Sequence, residues 1–353
     1  MSILYTTVLG LTLSFFCLGA TAQTHKSVVA ADPVPVKVGL VSASSDAGFF
    51  IADKKGYFRE EGLAVVFTPF NSAAKMVAPL GAGQLDVGGG APSAGLFNAV
   101  ARGINIKIVA DKGSLPPGYG FLQLLVRKDL IDSGRFKGLK DLKGMKIVGS
   151  GLGTVSTSTL NEILKKVGLK TSDVERDYMG FPQQVMALQN KAVDAAMMTE
   201  PSVTKAVQSG AAVKVIGGDE AYPNQQLSVV FYSGSFARER PEAARRFMRA
   251  YLRGVRDYND ALKDGRIAGA NATEIISILT EYTPIKDPNV YRTITPNACS
   301  PNGKVNEASL INDLQFFKNE GLIEGNVSVG QAVDNSFVEA ALKDLGPYVR
   351  RSK

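Results

Sequence analysis

Short apolar runs alternate with amphipathic stretches from Val36 onward, a rhythm that predicts an α/β fold built on parallel sheet. Strands are predicted over 36–41, 63–67, 85–87 and 105–110. Helices are predicted over 48–55 and 73–80, with a third running to Arg102 from an entry that carries Pro92. Gly56, Gly62, Gly81, Gly83 and Gly103 supply the stops. The rhythm breaks at the turn-rich segment 114–120, and 121–127 then reads as a strand crossing into a second domain. Alternation resumes at 144–149. A helix follows with Leu160, Ile163, Leu164 and Val167 on one face, then a helix over 181–190, a strand over 193–198, a helix over 201–209 and a strand over 213–216. A second crossover strand is predicted over 227–232. Beyond it the pattern turns helical: Phe247, Tyr251, Val255, Tyr258 and Leu262 follow Pro241, and Leu310, Leu314 and Phe317 mark a later helix. This last part shows no sheet of its own and is expected to pack on the first unit. One lobe is therefore expected from 34–120 plus 226–353, and the other from 121–225.

Composition narrows the functional classes. The chain has 353 residues with a formal charge of +7, and no Lys/Arg run with interleaved aromatics points to nucleic acid. Residues 8–20 are apolar, and Ala20-Thr21-Ala22 places small residues before Gln23, the pattern of a secretory signal peptide cleaved after Ala22. Phe16 before Cys17 fits a lipoprotein signal poorly. The expected mature protein keeps Cys299 alone, so it has no internal disulfide and relies on core burial. No other run approaches the ~20 apolar residues of a membrane span. The single histidine, His25, lies just behind the cleavage site, which argues against zinc sites and against Ser-His-Asp or Cys-His catalysis.

In open α/β sheets ligands bind beyond the carboxyl ends of the strands. Four loops qualify: Ser44, Ser45 and Asp46 after the first strand, Asn71 and Ser72 after the second, Gly90, Ala91 and Ser93 after the third, and the 149–157 stretch with Thr154, Ser156 and Thr157 in the second domain. The last lacks the Gly-Lys-Ser/Thr of a phosphate loop and spaces its glycines as G-x-G-x-G. Its helix N-terminus and hydroxyls suit an oxyanion, and equally fit a plain turn capped by Thr154 or Ser156. Glu200 and Asp46 could each accept a ligand N–H or stand as ordinary helix-start carboxylates. Phe49 and Phe181 could stack on a planar ligand or belong to the core.

Five segments carry a resemblance: DKKGYFREEGLAVVF (53–67), LGAGQLDVGGGAPSAGL (80–96), LKDLKGMKIVGSG (139–151), LQNKAVDAAMMTEP (188–201) and FARERPEAARRFMRAYLRGVRDY (236–258). In this order they resemble the nitrate/sulfonate/taurine-type substrate-binding proteins of ABC importers, which share a fold with fungal thiamine-pyrimidine synthases. The resemblance implies a type II periplasmic-binding-protein fold, two α/β lobes joined by two crossover strands. It maps the ligand loops onto Ser44–Asp46, Asn71–Ser72, Gly90–Ser93, 153–157 and Glu200.

It further implies a non-catalytic capture protein, expected to be a monomer in the periplasm, while the hydroxyls, aromatics and two acids of the loops favour a small organic anion of the sulfonate or aromatic carboxylate class as its ligand. The ligand would pass to a membrane permease and, through it, to an ATPase subunit, with no cofactor and no metal. These loops lack an Arg pair, which disfavours a strongly charged inorganic anion. An aminopyrimidine or thiamine-precursor binding protein is the alternative. A pyrimidine-synthase-like enzyme would need an active-site histidine and a cysteine cluster that this sequence lacks.

Overall fold

In the computed structural model, described here for residues 1–2 and 32–351, two five-stranded sheets organise the chain from Pro33 on. The signal segment, Cys17 and His25 fall outside the described residues. The elements that build the site are β1 (Val34–Leu40), α1 (Ala47–Lys54), β2 (Leu63–Pro69), β3 (Val87–Gly90), α2 (Ala94–Ala101), β4 (Ile106–Leu115), β5 (Leu122–Arg127) and β6 (Lys146–Gly149). There follow α3 (Val155–Lys165), β7 (Glu175–Tyr178), α4 (Phe181–Gln189), β8 (Ala195–Thr199), α5 (Ser202–Gln208), β9 (Ala212–Gly217), β10 (Gln225–Ser233), α6 (Pro241–Ala261) and α7 (Glu307–Asn319).

The first sheet has the order β2-β1-β3-β10-β4 and the second β7-β6-β8-β5-β9. In each, four strands point the same way and the strand entering from the other lobe runs antiparallel to both its neighbours: β10 against β3 and β4, and β5 against β8 and β9. This is the two-lobe arrangement with two crossovers. The chain leaves lobe 1 after Leu115 and re-enters at Gln225, and these two residues face each other across the β4–β10 ladder. The Gly118 N–H donates to Asp219 Oδ2 at 2.9 Å, tying one crossover to the other.

Burial follows the sequence pattern. All six residues of β5 are buried, as expected of a strand covered on both faces. Helix α6 starts at Pro241 and sends Phe247, Tyr251, Val255 and Tyr258 into a core shared with α1 and β1. Three differences from expectation have physical reasons. The glycines 88–90 form β3 rather than a loop, because neighbouring side chains fill the space theirs would take; a Cβ on Gly90 would lie 2.4 Å from Ala73 Cβ. Strand β7, Glu-Arg-Asp-Tyr, has no apolar alternation to betray it and pairs at the sheet edge with β6. The C-terminal part does form a small hairpin, two residues on each side, at Leu262–Lys263 and Arg266–Ile267.

Candidate functional site

The loops at the carboxyl ends of β3 and β6 come together where the lobes meet. Ser93 pairs with Thr154 in an antiparallel bridge, and the Ala94 N–H donates to the Gly153 carbonyl at 2.9 Å. Gly153 makes the approach possible. Its φ is +65°, and a Cβ there would stand 2.7 Å from Ala94 Cβ. Ala91 packs against the apolar core of lobe 2 from the lobe 1 side.

On lobe 1, Ser44–Asp46 forms a buried 3-10 turn. Asp46 Oδ2 accepts the Ala43 N–H at 3.0 Å, and Asp46 Oδ1 is 2.7 Å from Lys112 Nζ, which also donates to Ser45 Oγ at 3.1 Å. The carboxylate is thus occupied from within the lobe. Phe49 is buried in the lobe 1 core, its ring centroid 4.9 Å from that of Tyr251. Asn71 is exposed and Ser72 half-buried, at the start of the turn whose Ala73 abuts Gly90. Ser93 caps α2, its Oγ accepting the Leu96 N–H at 3.3 Å.

On lobe 2, the first turn of α3 presents a cluster of hydroxyls. Ser156 Oγ lies 3.0 Å from Ser150 Oγ and 2.9 Å from Thr154 Oγ1. Thr157 Oγ1 donates to the Thr154 carbonyl at 2.7 Å and accepts the Thr154 N–H at 3.2 Å, so this hydroxyl serves the helix start. The Thr157 and Ser158 N–H groups donate to the Thr154 carbonyl at 3.0 and 3.3 Å, and those of Val155 and Ser156 ahead of them form the positive end of the helix dipole. Phe181 is half-buried at the start of α4. Glu200, buried at the end of β8, accepts the Thr204 N–H on Oε2 at 2.9 Å. Its Oε1 has no hydrogen-bond partner and stands 3.5 Å from Lys214 Nζ.

Two groups escaped the sequence reading. Lys112 falls beyond the predicted end of the fourth strand, and no local pattern links it to Asp46. The Ala94 side chain, the nearest group a Cβ on Gly153 would meet, is likewise set by a contact between distant segments. Among the described residues no cluster of three or more His, Cys, Asp or Glu could hold a metal ion, and no helix is long and apolar enough to cross a membrane.

A family model described as NMT1/THI5 like matches residues 44–262. A Brachyspira hyodysenteriae protein described as an ABC transporter periplasmic binding protein is 29% identical over 199 residues, 50% of this chain and 55% of that one. The chain thus spans about half the length of that relative. The taurine-binding periplasmic protein of Escherichia coli is 24% identical over 326 residues, covering 88% of this chain and 94% of the relative. Among solved structures, the nitrate-binding protein of Synechocystis PCC 6803 has a TM-score of 0.71 at 13% identity, covering 89% of both chains. The alkanesulfonate-binding protein of Xanthomonas axonopodis pv. citri bound to MOPS has a TM-score of 0.66 at 19% identity, covering 86% of this chain and 99% of that one. A desulfurization enzyme shares the fold at a TM-score of 0.59 and 14% identity, covering 88% of this chain and 99% of its own. At these identities the structural likeness establishes the fold alone.

Proposed function

This chain belongs to the NMT1/THI5-like family, and from that premise we propose that it is the extracytoplasmic solute-binding component of an ABC importer. It captures a small organic anion, of the sulfonate or aromatic carboxylate class, between its lobes and hands it unaltered to the permease and its ATPase. The observation that carries this reading is the Ser93–Thr154 bridge: the loops that hold polar groups are those on which the two lobes close. A ligand seated among them favours closure as far as it makes more contacts in the closed form than in the open one.

The anion end is assigned to the start of α3, with Thr154 and Ser156 supplying hydroxyls and Thr157 holding the turn. Ser44, Ser45, Asn71, Ser72, Gly90, Ala91 and Ser93 line the lobe 1 side. Glu200 Oε1, which has no hydrogen bond and only the Lys214 ammonium 3.5 Å away, is assigned to accept an N–H or O–H from the ligand body, and Phe181 to cover it. Asp46 acts through its pairing with Lys112, and Phe49 as the packing beneath the turn. The proposal includes export with cleavage after Ala22, a periplasmic location and a monomeric state. The relatives support this setting, since two are periplasmic binding proteins by name.

Although an enzyme shares the fold, Cys299, the sole cysteine among the described residues, makes a poor nucleophile. It is buried, its thiol directed at the Asp111 carbonyl at 3.6 Å, and burial pushes its pKa well up.

Thermal-shift and calorimetric titration with taurine, ethanesulfonate, benzoate, nitrate and an aminopyrimidine tests the reading. Stabilisation by a sulfonate or an aromatic carboxylate is the expected result. Response to the aminopyrimidine alone would replace the ligand class, and turnover of any of these compounds would overturn the binding role.

A further inference from the structure

Helix α7 belongs to lobe 1 through one face and touches lobe 2 through another. Leu310, Leu314 and Phe317 lie in a core with Phe97, Ile108 and Phe231. Ser309, Asp313 and Glu320 follow one another after about one and two turns on the adjacent face, a polar stripe turned to the second lobe. At the crossover end the Tyr222 hydroxyl donates to the Ser309 carbonyl at 3.0 Å and accepts from Asn312 Nδ2 at 2.9 Å. At the outer end Glu320 accepts from Thr171 Oγ1 at 2.7 Å and from Arg176 Nη1 at 2.6 Å. The chain then brings Leu322 beside Gly153, at the contact where the lobes close.

Midway along the stripe sits Asp313, fully buried, with no hydrogen-bond partner for either carboxylate oxygen. The polar groups around it spend their hydrogens elsewhere. Ser158 Oγ donates to the Val155 carbonyl at 3.1 Å, Gln225 Nε2 to Ser158 Oγ at 2.9 Å, and Tyr222 to Ser309. Glu162 of α3 adds a like charge. Three nearby cations are already taken, Lys165 by Glu162 at 2.8 Å, Arg176 by Glu320 and Arg102 by Glu324, and Lys166 at the end of α3 is exposed to solvent. An ionised carboxylate held in this way is costly, whereas a carboxylic acid is not.

We propose that α7 is a proton-sensitive latch between the lobes, which holds them closed while Asp313 is protonated and loosens when Asp313 ionises. Burial, with the like charge of Glu162 added to it, pushes the Asp313 pKa up to about 7. Opening parts α7 from α3 and returns the carboxyl to water, where its pKa is about 3.9. The closed form therefore binds the proton more tightly, and closure is favoured as pH falls and lost as pH rises through about 7. With these two values the closing equilibrium weakens about tenfold between pH 6 and pH 8.

The scattering test needs no ligand, and only the affinity test rests on the proposed binding role. Small-angle X-ray scattering of the ligand-free protein should give a larger radius of gyration at pH 8 than at pH 6, while D313N stays compact at both. Ethanesulfonate, whose charge does not change over this range, should bind the parent about tenfold more weakly at pH 8 and D313N equally at both. A parent radius that does not change with pH, or a D313N radius that changes as the parent's does, overturns the latch. Failure of ethanesulfonate to bind at either pH counts against the proposed ligand class, and the scattering still decides the latch. Should D313N fail to fold, the carboxyl carbon shift of Asp313 in the parent decides: a midpoint near 7 supports the latch and one near 4 overturns it.

Discussion

Lys112 Nζ sits 2.7 Å from Asp46 Oδ1, and neither side chain is more than 1% exposed. The pair joins the middle of β4, the strand that leads to the first crossover, to the turn that follows β1. Through it the position of a candidate ligand loop is fixed from below by the strand whose far end, Leu115, leads into the first crossover.

Breaking one half of that pair strands the other. K112M is expected to cost about 3–5 kcal/mol, because it leaves the Asp46 carboxylate buried and unpaired. The double variant D46N/K112M should recover most of the loss. Urea unfolding of the three proteins checks this; a K112M midpoint equal to the parent's would show that the carboxylate finds another partner.

The two hydroxyls at the start of α3 should separate by function. S156A removes the hydroxyl at the centre of the Ser150–Thr154 cluster, the one assigned to the anion, and should weaken binding of a sulfonate by about tenfold or more, with little change in melting temperature. T157A removes the side chain that closes the capping box and should cost about 1 kcal/mol of stability instead. Calorimetric titration beside thermal unfolding distinguishes them, and equal behaviour of the two variants would sink the assignment.

Gly153 is where closure meets a steric limit. A Val there collides with Ala94, whose Cβ would be 2.7 Å from the new one, and must adopt a φ of +65°. G153V should therefore reduce ligand affinity far more than S156A while lobe 2, tested by its unfolding transition, still folds. Undiminished affinity would mean that the Ser93–Thr154 contact plays no part in capture.

Asp111 gives a pH signature of its own. It is buried in lobe 1, and burial lifts its pKa to about 6 despite hydrogen bonds from Ser300, Gln226 and Gly113. A folded-state value above the unfolded one contributes stability that is present below pH ~4 and lost as pH rises through about 6. Measured in urea from pH 4 to pH 7, D111N should gain on the parent as pH rises and level off above pH 6. A constant gap between the two proteins would refute it.

Much of this architecture is written in local periodicity. The stripe of Phe247, Tyr251, Val255 and Tyr258 needs no partner to be recognised as a helix face, and the apolar run at 122–127 identifies a strand buried on both sides. What periodicity cannot carry is pairing at a distance. The glycines of β3 are strand because Phe49, Ala73 and Lys112 occupy the volume their side chains would need, and those residues lie tens of positions away. Asp46 looks like any helix-start acid until Lys112 is found beneath it. The apolar face of α7 was visible as Leu310, Leu314 and Phe317, but its polar face acquires meaning only beside Thr171, Arg176 and Tyr222 in the other lobe.

The second sheet begins with β5 and ends with β9, and the two lie side by side, Gln123 opposite Gly217. Everything from 122 to 217 therefore starts and finishes at adjacent rungs of one ladder. Such a cassette can be lifted from one scaffold and spliced into another through two short joints, without rethreading either backbone. Hybrids that keep one relative's outer half and borrow another's inner half offer a direct way to learn which half chooses the cargo.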